Sequence, residues 1–234
     1  METQQVIKDP EKTKAFAEGV KGLVEFHDVS FRYPGAEADL LKNITFTAKP
    51  GQTTAFIGGT GSGKSTVVNL IPRFYDVTGG KILVDGVDVR EVSQHDLRDK
   101  IGYVSQKAVL FSGTIKSNIK YANEDATDVE ISKFAETAQA LDFINTSEEG
   151  YDMFVSQGGT NLSGGQKQRL SIARALARKP EIFIFDDSLS ALDYKTDSAL
   201  RKALKKETGG ATVLIVTQRI STIMGAEQIV VLEN

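Results

Sequence analysis

The sequence predicts an α/β fold: a core built on a mostly parallel sheet, an antiparallel β subdomain ahead of it, and a helical subdomain inserted into it. Three observations predict this. Short alternating apolar runs broken by Pro-Gly turns occupy the N-terminal part, and helical spacing dominates between Gln106 and Pro180. Two continuous apolar runs, Ile182-Phe183-Ile184-Phe185 and Thr212-Val213-Leu214-Ile215-Val216, then suit strands buried on both faces of a parallel sheet.

In chain order, residues 1–22 mix Lys, Glu and Asp with a few apolar positions such as Phe16 and Val20, and read as a linker or solvated helix ahead of a domain spanning 23–234. Val24, Phe26, Val29 and Phe31, then Ile44 and Phe46, are broken by the turns Pro34-Gly35 and Pro50-Gly51, as antiparallel strands require. Ala55-Phe56-Ile57 is a further strand, and Thr78-Gly79-Gly80 leads into another, Lys81-Ile82-Leu83-Val84, closed by Asp85-Gly86. Val129, Ile131, Phe134, Ala135, Ala138, Leu141 and Phe143 carry helical spacing inside the insertion, placed at about residues 107–178. No internal repeat or low-complexity segment interrupts the chain.

Composition narrows the function classes. The 234 residues can bury a sizeable core, and 40% apolar with 25% charged content is ordinary for a globular protein. With 28 basic and 31 acidic residues, a formal charge of −3 gives no electrostatic case for nucleic acid. The absence of cysteine excludes disulfides and thiolate metal sites and fits a reducing compartment. No apolar run reaches membrane-spanning length, and the polar residues 1–9 are not a signal peptide.

Chemistry is concentrated where strands end. Gly58-Gly59-Thr60-Gly61-Ser62-Gly63-Lys64-Ser65-Thr66 contains G-x-x-x-x-G-K-[ST] directly after Ala55-Phe56-Ile57, the phosphate-binding P-loop in its required context. Its glycines let consecutive backbone N–H groups point at a phosphate, Lys64 neutralises β/γ charge, and Ser65 is placed to ligate Mg2+. Asp186-Asp187 follows four apolar residues, the Walker B pattern: Asp186 would hold Mg2+ through water and Asp187 would orient the attacking water. With Thr217-Gln218 after the next strand, three strand tips should line one site, because ligands in open α/β sheets sit beyond the carboxyl ends of the strands. The core is therefore read as a P-loop NTPase.

Leu162-Ser163-Gly164-Gly165-Gln166 precedes a helix that ends before Pro180; Ser163 suits an N-cap, and the glycines allow a phosphate to approach. With that segment the sequence resembles the nucleotide-binding domain of ATP-binding cassette (ABC) transporters, over residues from about 23 to the C-terminus. The resemblance implies ATP and Mg2+ as cofactors. It implies that Tyr33 stacks on adenine, that Gln106 reaches Mg2+ and the attacking water, and that Ser190-Ala191-Leu192-Asp193 is a D-loop in which Asp193 contacts a dimer partner. Val109-Leu110-Phe111-Ser112-Gly113-Thr114-Ile115 is similar to exporters more than to importers. The implied assembly is a head-to-tail dimer, each ATP held between one P-loop and the other chain's residues 162–166, joined to a transmembrane domain at the cytoplasmic face of the cell membrane. Val155-Ser156-Gln157-Gly158-Gly159-Thr160 stands where exporters place a loop touching that domain, with Gln157 where a glutamate is common; a plain polar loop is the other reading.

Two departures stand out. The family's catalytic glutamate is here Asp187 and its switch histidine is Gln218, while His27 and His95 lie elsewhere. The shorter carboxylate sits roughly an ångström back from the water, which can cost about a hundredfold in rate, and glutamine cannot carry a positive charge or shuttle a proton. The combination resembles the degenerate-site half of a heterodimeric ABC exporter. A fully active homodimeric ATPase and a non-hydrolysing ATP-binding regulatory module are the alternatives. A clamp-type DNA ATPase would need a long coiled coil that the length does not allow, and a ribosome factor would carry two cassettes. By the same resemblance the chain is expected to be cut from a longer, fused exporter half, with Met1 an introduced start. Nothing in the sequence points to a transported substrate.

Overall fold

The computed structural model describes residues 7–16, 19 and 21–233. β1 (Val24–Phe31) and β2 (Leu41–Ala48) pair antiparallel and are followed by β3 (Thr53–Gly58) and α1 (Lys64–Leu70). The chain then returns to the first sheet with β4 (Gly79–Val84) and β5 (Val87–Asp88), completing the antiparallel order β2-β1-β4-β5. After α2 (Gln94–Asp99) and β6 (Ile101–Val104) comes the helical region: β7 (Gly113–Thr114), α3 (Ile115–Lys120), α4 (Asp128–Thr137), α5 (Leu141–Thr146), β8 (Phe154–Val155) and α6 (Gly164–Ala177). β9 (Ile182–Asp186), α7 (Tyr194–Glu207), β10 (Thr212–Val216), α8 (Ile220–Ile223) and β11 (Gln228–Leu232) close the fold. The second sheet runs β11-β3-β10-β9-β6, with every neighbouring pair parallel.

Burial explains why the continuous apolar runs became central strands. All five residues of β9 are buried. Ile182 and Ile184 join Phe56, Val67, Leu70 and Val216 in a core on one face of the sheet, while Phe183 and Phe185 join Leu170, Leu176, Leu200 and Ile215 on the other. Successive side chains of a strand point to opposite faces, so a strand covered on both sides must be apolar at every position.

The antiparallel sheet shows why β1 breaks strict alternation. Phe26 pairs with Phe46, Val29 with Ile44 and Phe31 with Leu41; the register slips on β1 at Asp28 (φ +51°), between the first two pairs, and back on β2 at Asn43 (φ +54°), between the last two. The extra residue keeps Phe26 and Val29 on the buried face despite their spacing of three. Polar side chains secure the bulge: Asn43 Nδ2 donates to Asp28 Oδ1 at 2.8 Å, and the Asp28 amide donates to Thr45 Oγ1 at 3.0 Å. On the neighbouring strand Gly80 has φ +70°, and a Cβ there would lie 2.3 Å from the Asp28 carbonyl oxygen.

In the helical region, the apolar pattern from Val129 to Phe143 belongs to two helices, α4 and α5. Gln139 turns the chain between them at φ +58°. Ile131, Phe134, Ala135 and Ala138 are buried, whereas Val129 is 81% exposed and takes no part in the core. The start of α4 is set by a capping box between Thr127 and Glu130. Residues 7–16 form no helix and lie tied to the domain: the Lys14 amide donates to the Glu91 carbonyl at 2.7 Å, the Gln94 amide to Asp9 Oδ1 at 3.0 Å, and Arg73 to the Lys8 carbonyl at 3.2 Å. Val20 and residues 1–6, part of the expected leader, lie outside the described residues.

Gly80→Ala should lower stability by about 1–3 kcal/mol, through an unfavourable φ and a Cβ placed against the Asp28 carbonyl. Urea unfolding checks this, and an unchanged midpoint would mean that the paired bulges relax at no cost.

Candidate functional site

The parallel order brings four predicted regions to one end of the sheet. The P-loop, residues 58–66, follows β3; Gln106 follows β6; Asp186 ends β9 with Asp187 next; and Gln218 follows β10. Tyr33, two residues beyond β1, comes to the same place from the antiparallel sheet.

Within the P-loop, Gly58, Gly61 and Gly63 adopt positive φ (+154°, +85° and +91°). A Cβ on Gly58 would lie 2.3 Å from the Leu232 carbonyl oxygen, and one on Gly63 would lie 2.7 Å from Leu41 Cδ2, so these two shape the loop; Gly59 and Gly61 face open space. Lys64 folds back over the loop, its Nζ donating to the carbonyls of Gly58 (2.9 Å) and Gly59 (2.6 Å). Ser62 Oγ is buried without a protein partner. A buried hydroxyl is costly to leave unpaired, and in a glycine-rich loop that also carries Lys64 the partner that fits is an anionic oxygen.

Ser65 Oγ donates to Asp186 Oδ1 at 2.6 Å, and the Tyr103 hydroxyl lies 3.0 Å from Asp186 Oδ2 and 2.7 Å from Asn69 Oδ1. Burial first, then the charge of Asp186, push the Tyr103 hydroxyl upward, so it remains a protonated donor. One hydroxyl and one carboxylate in contact make a hard, all-oxygen donor pair, which fits Mg2+, an ion that takes one or two protein oxygens and completes its shell with water and phosphate. No group of three or more His, Cys, Asp or Glu suited to a softer or fully protein-bound metal exists among the described residues.

Asp187 follows with φ +46°, its amide donating to the Val216 carbonyl at 3.0 Å and its Oδ2 accepting from Gln106 Nε2 at 3.0 Å. Burial, and then the charge of Asp186, raise its carboxyl above the ordinary aspartate value; the Gln106 amide, Arg219 and Lys64 oppose that rise. The side chain of Gln218 is exposed and lines a recess with Gly58, Gly59 and Thr60. Tyr33 donates to or accepts from Thr66 Oγ1 at 2.9 Å, and Phe31 and Tyr75 meet its ring edge-on at 4.8 and 5.2 Å, fixing its orientation beside α1. Such a ring can stack on a base.

Leu162, Ser163, Gly164, Gly165 and Gln166 do not join this constellation. Leu162 is buried in the helical core, and Ser163 caps α6: its Oγ accepts from the Gln166 amide at 3.2 Å while Gln166 Oε1 accepts from the Ser163 amide at 2.8 Å. What neighbours Gly165 is Ala191 and Leu192, not the P-loop. Asp193 is likewise engaged locally, capping α7 through Thr196, with Oδ1 accepting from its amide at 3.0 Å and Oδ2 from its hydroxyl at 2.7 Å.

The ABC transporter family model matches residues 41–190. The chain belongs to the ABC transporter family. An uncharacterized ABC transporter ATP-binding protein of Mycobacterium tuberculosis is 45% identical over 237 residues, covering 100% of this chain and 40% of that protein. A Staphylococcus aureus protein named for multidrug export, as an ATP-binding/permease protein, is 47% identical over 214 residues, covering 92% of this chain and 37% of its own length. A solved bacterial Atm1-family ABC exporter with ATP bound superposes with a TM-score of 0.93 at 36% identity, covering 99% of this chain and 40% of that one. The chain thus spans about 40% of the ABC relatives it matches.

Several residues at this ABC site were not singled out by motif. Tyr103 and Asn69 act as neighbours of the motif residues; of the two, Tyr103, three positions before Gln106, sits close enough to a landmark for sequence to have flagged it. Arg219, directly after Gln218, donates to the carbonyls of Ser190 (2.8 Å) and Leu192 (3.0 Å) and so ties the D-loop to the tip of β10. Gln168 Nε2, buried, donates to the Ser105 carbonyl at 3.1 Å, joining α6 to the segment before Gln106.

Lys64→Ala should abolish ATP retention, and equilibrium binding of a fluorescent ATP analogue checks it; affinity close to that of the parent would remove the P-loop assignment. Tyr33→Ala should weaken ATP binding by about 1–3 kcal/mol, the loss of one base-stacking aromatic. The same titration reads it, and no change would place the base elsewhere.

Proposed function

We propose that this chain is the ATP-binding domain of an ABC exporter half, that its own ATP site hydrolyses poorly, and that it lends residues 162–166 to the working site of a second, different ATP-binding domain. The observation that carries the proposal is the pairing at one phosphate end of Asp187 with Gln218. On this reading Tyr33 would hold the base, the P-loop amides, Ser62 and Lys64 the phosphates, and Ser65 and Asp186 the metal; the contacts among these residues support it. Bound Mg2+ would neutralise charge between the β- and γ-phosphates.

The groups that activate water are the weak ones. The Asp187 carboxylate is one methylene shorter than a glutamate and already accepts the Gln106 amide. Gln218 can donate a hydrogen bond to a γ-phosphate but supplies no charge and moves no proton. Retention and turnover are therefore separated, with affinity kept and rate lost.

The cleft is completed from outside. Ser163 caps α6 and Gly165 neighbours Ala191 and Leu192 rather than this chain's own P-loop; this glycine-rich helix start suits the γ-phosphate side of a head-to-tail partner, so each dimer holds two unequal sites. ATP then acts as a reversible bridge whose hydrolysis at the partner's site reopens the dimer. The membrane partner is read from a groove of about 370 Å³ where the exposed rings of Phe74, Phe111 and Tyr121 stand beside Arg98, Arg174 and Arg178. An apolar wall with a cationic rim suits a short amphipathic helix of a transmembrane domain at the cytoplasmic face of the membrane. The relatives' fused permease names and this chain's coverage of about 40% of their length support that placement.

The test is single-turnover hydrolysis of bound ATP, comparing the parent with Asp187→Glu combined with Gln218→His. Slow turnover by the parent and a gain of about a hundredfold in the double variant are expected. Rapid turnover by the parent with little gain would make Asp187 a competent base and this chain half of a symmetric ATPase.

A further inference from the structure

Tyr103 belongs to two places at once. Its ring lines the groove beside Phe74, whose ring meets it at 5.6 Å and 66°, and Phe74 in turn lies under the Arg98 guanidinium at 5.4 Å. Its hydroxyl reaches through to the strand tips, against Asp186 Oδ2 and Asn69 Oδ1. A phenol has one proton, so it cannot donate to both oxygens. The charged carboxylate is the stronger acceptor and takes it. The Asn69 amide then turns its NH2 toward the phenol oxygen, an interchange of two atoms of nearly equal size.

The two oxygens of Asp186 are thereby held by two hydroxyls with different origins. Oδ1 takes Ser65, from the P-loop; Oδ2 takes Tyr103, from the wall of the groove. A carboxylate buried at a strand end and gripped from both sides has its plane fixed, and rotating it costs one charge-assisted hydrogen bond. A shift of the Tyr103 ring, forced by whatever packs on Phe74, moves one of the two grips.

We propose that Tyr103 is a positioning residue for Asp186, setting the orientation of that carboxylate and transmitting to it displacements of the groove's aromatic wall. This rests on the reading that Ser65 and Asp186 hold the divalent ion that accompanies ATP. Gln106 takes no part in this grip, since its amide reaches Asp187 rather than Asp186.

The experiment measures Mn2+ affinity of the ATP-loaded chain by electron paramagnetic resonance, alongside ATP affinity in EDTA. Tyr103→Phe keeps the ring and removes the grip: ATP affinity in EDTA should be unchanged while Mn2+ affinity falls about tenfold, the loss of one hydrogen bond to a charged group. Phe74→Ala, which removes the ring packed on Tyr103, should weaken Mn2+ binding in the parent and add nothing in the Tyr103→Phe background, as coupled residues do. Unchanged Mn2+ affinity in Tyr103→Phe, or a Phe74→Ala effect of equal size in both backgrounds, would overturn the proposal. If the parent itself binds ATP in EDTA but gains no Mn2+ site, the underlying assignment of Ser65 and Asp186 falls, and the proposal with it. Should Tyr103→Phe fail to fold, Asn69→Ala provides the second reading: a smaller loss of Mn2+ affinity is expected, and none would count against the hydroxyl's role.

Discussion

The hydroxyl of Ser65 and the carboxylate of Asp186 meet at 2.6 Å, and much of the structure is arranged so that they can. β3 and β9 are not neighbours; β10 lies between them and pairs in parallel with both. Only a parallel register holds three such strands with their carboxyl ends level, and that demands apolar side chains on both faces and helices to cover them. The two cores on either side of the sheet, and the return of each strand through a helix, follow from that demand. The phosphate end of the site is thus a property of the sheet rather than of any loop.

The P-loop, the acidic pair after β9 and the glycine-rich start of α6 were legible in the sequence because each is a local pattern whose meaning survives without tertiary context. The central strands were legible too, since Ile182-Phe183-Ile184-Phe185 and Thr212-Val213-Leu214-Ile215-Val216 have few other uses. Less legible were features set by what a residue meets. Asp28, Asn43 and Gly80 form one bulged level across three strands, and no single one of them announces it. The break between α4 and α5 hangs on Gln139 at positive φ, which an apolar spacing count runs straight through. Residues 7–16 read as a solvated leader from their charge, yet Asp9 and Lys14 spend that charge on Gln94 and Glu91. Tyr103 carried no signal of its own beyond its place before Gln106.

Binding and chemistry draw on separable sets of side chains. A stacking ring contributes a few kcal/mol to holding ATP, and a displaced carboxylate costs a comparable amount in rate, but in the proposed function the first would act at Tyr33 and the second at Asp187. On the reading proposed here, selection could relax one without touching the other. Asp187 itself sits in a balance: burial and Asp186 favour its neutral form, and the Gln106 amide with Arg219 and Lys64 favours the charged one.

Gln168 is a single buried amide spanning from α6 to the Ser105 carbonyl. Burial makes that bond expensive to break, so the backbone beside Gln106 and the helix that opens with Ser163 are geared: a displacement of one is taken up by the other or costs an unpaired amide. In the head-to-tail pair proposed above, those two ends would face different nucleotides, and the occupancy of one cleft would become a mechanical input to the other. On that reading, a domain that cuts its own ATP poorly would still register, by the angle of one helix, whether that ATP is there.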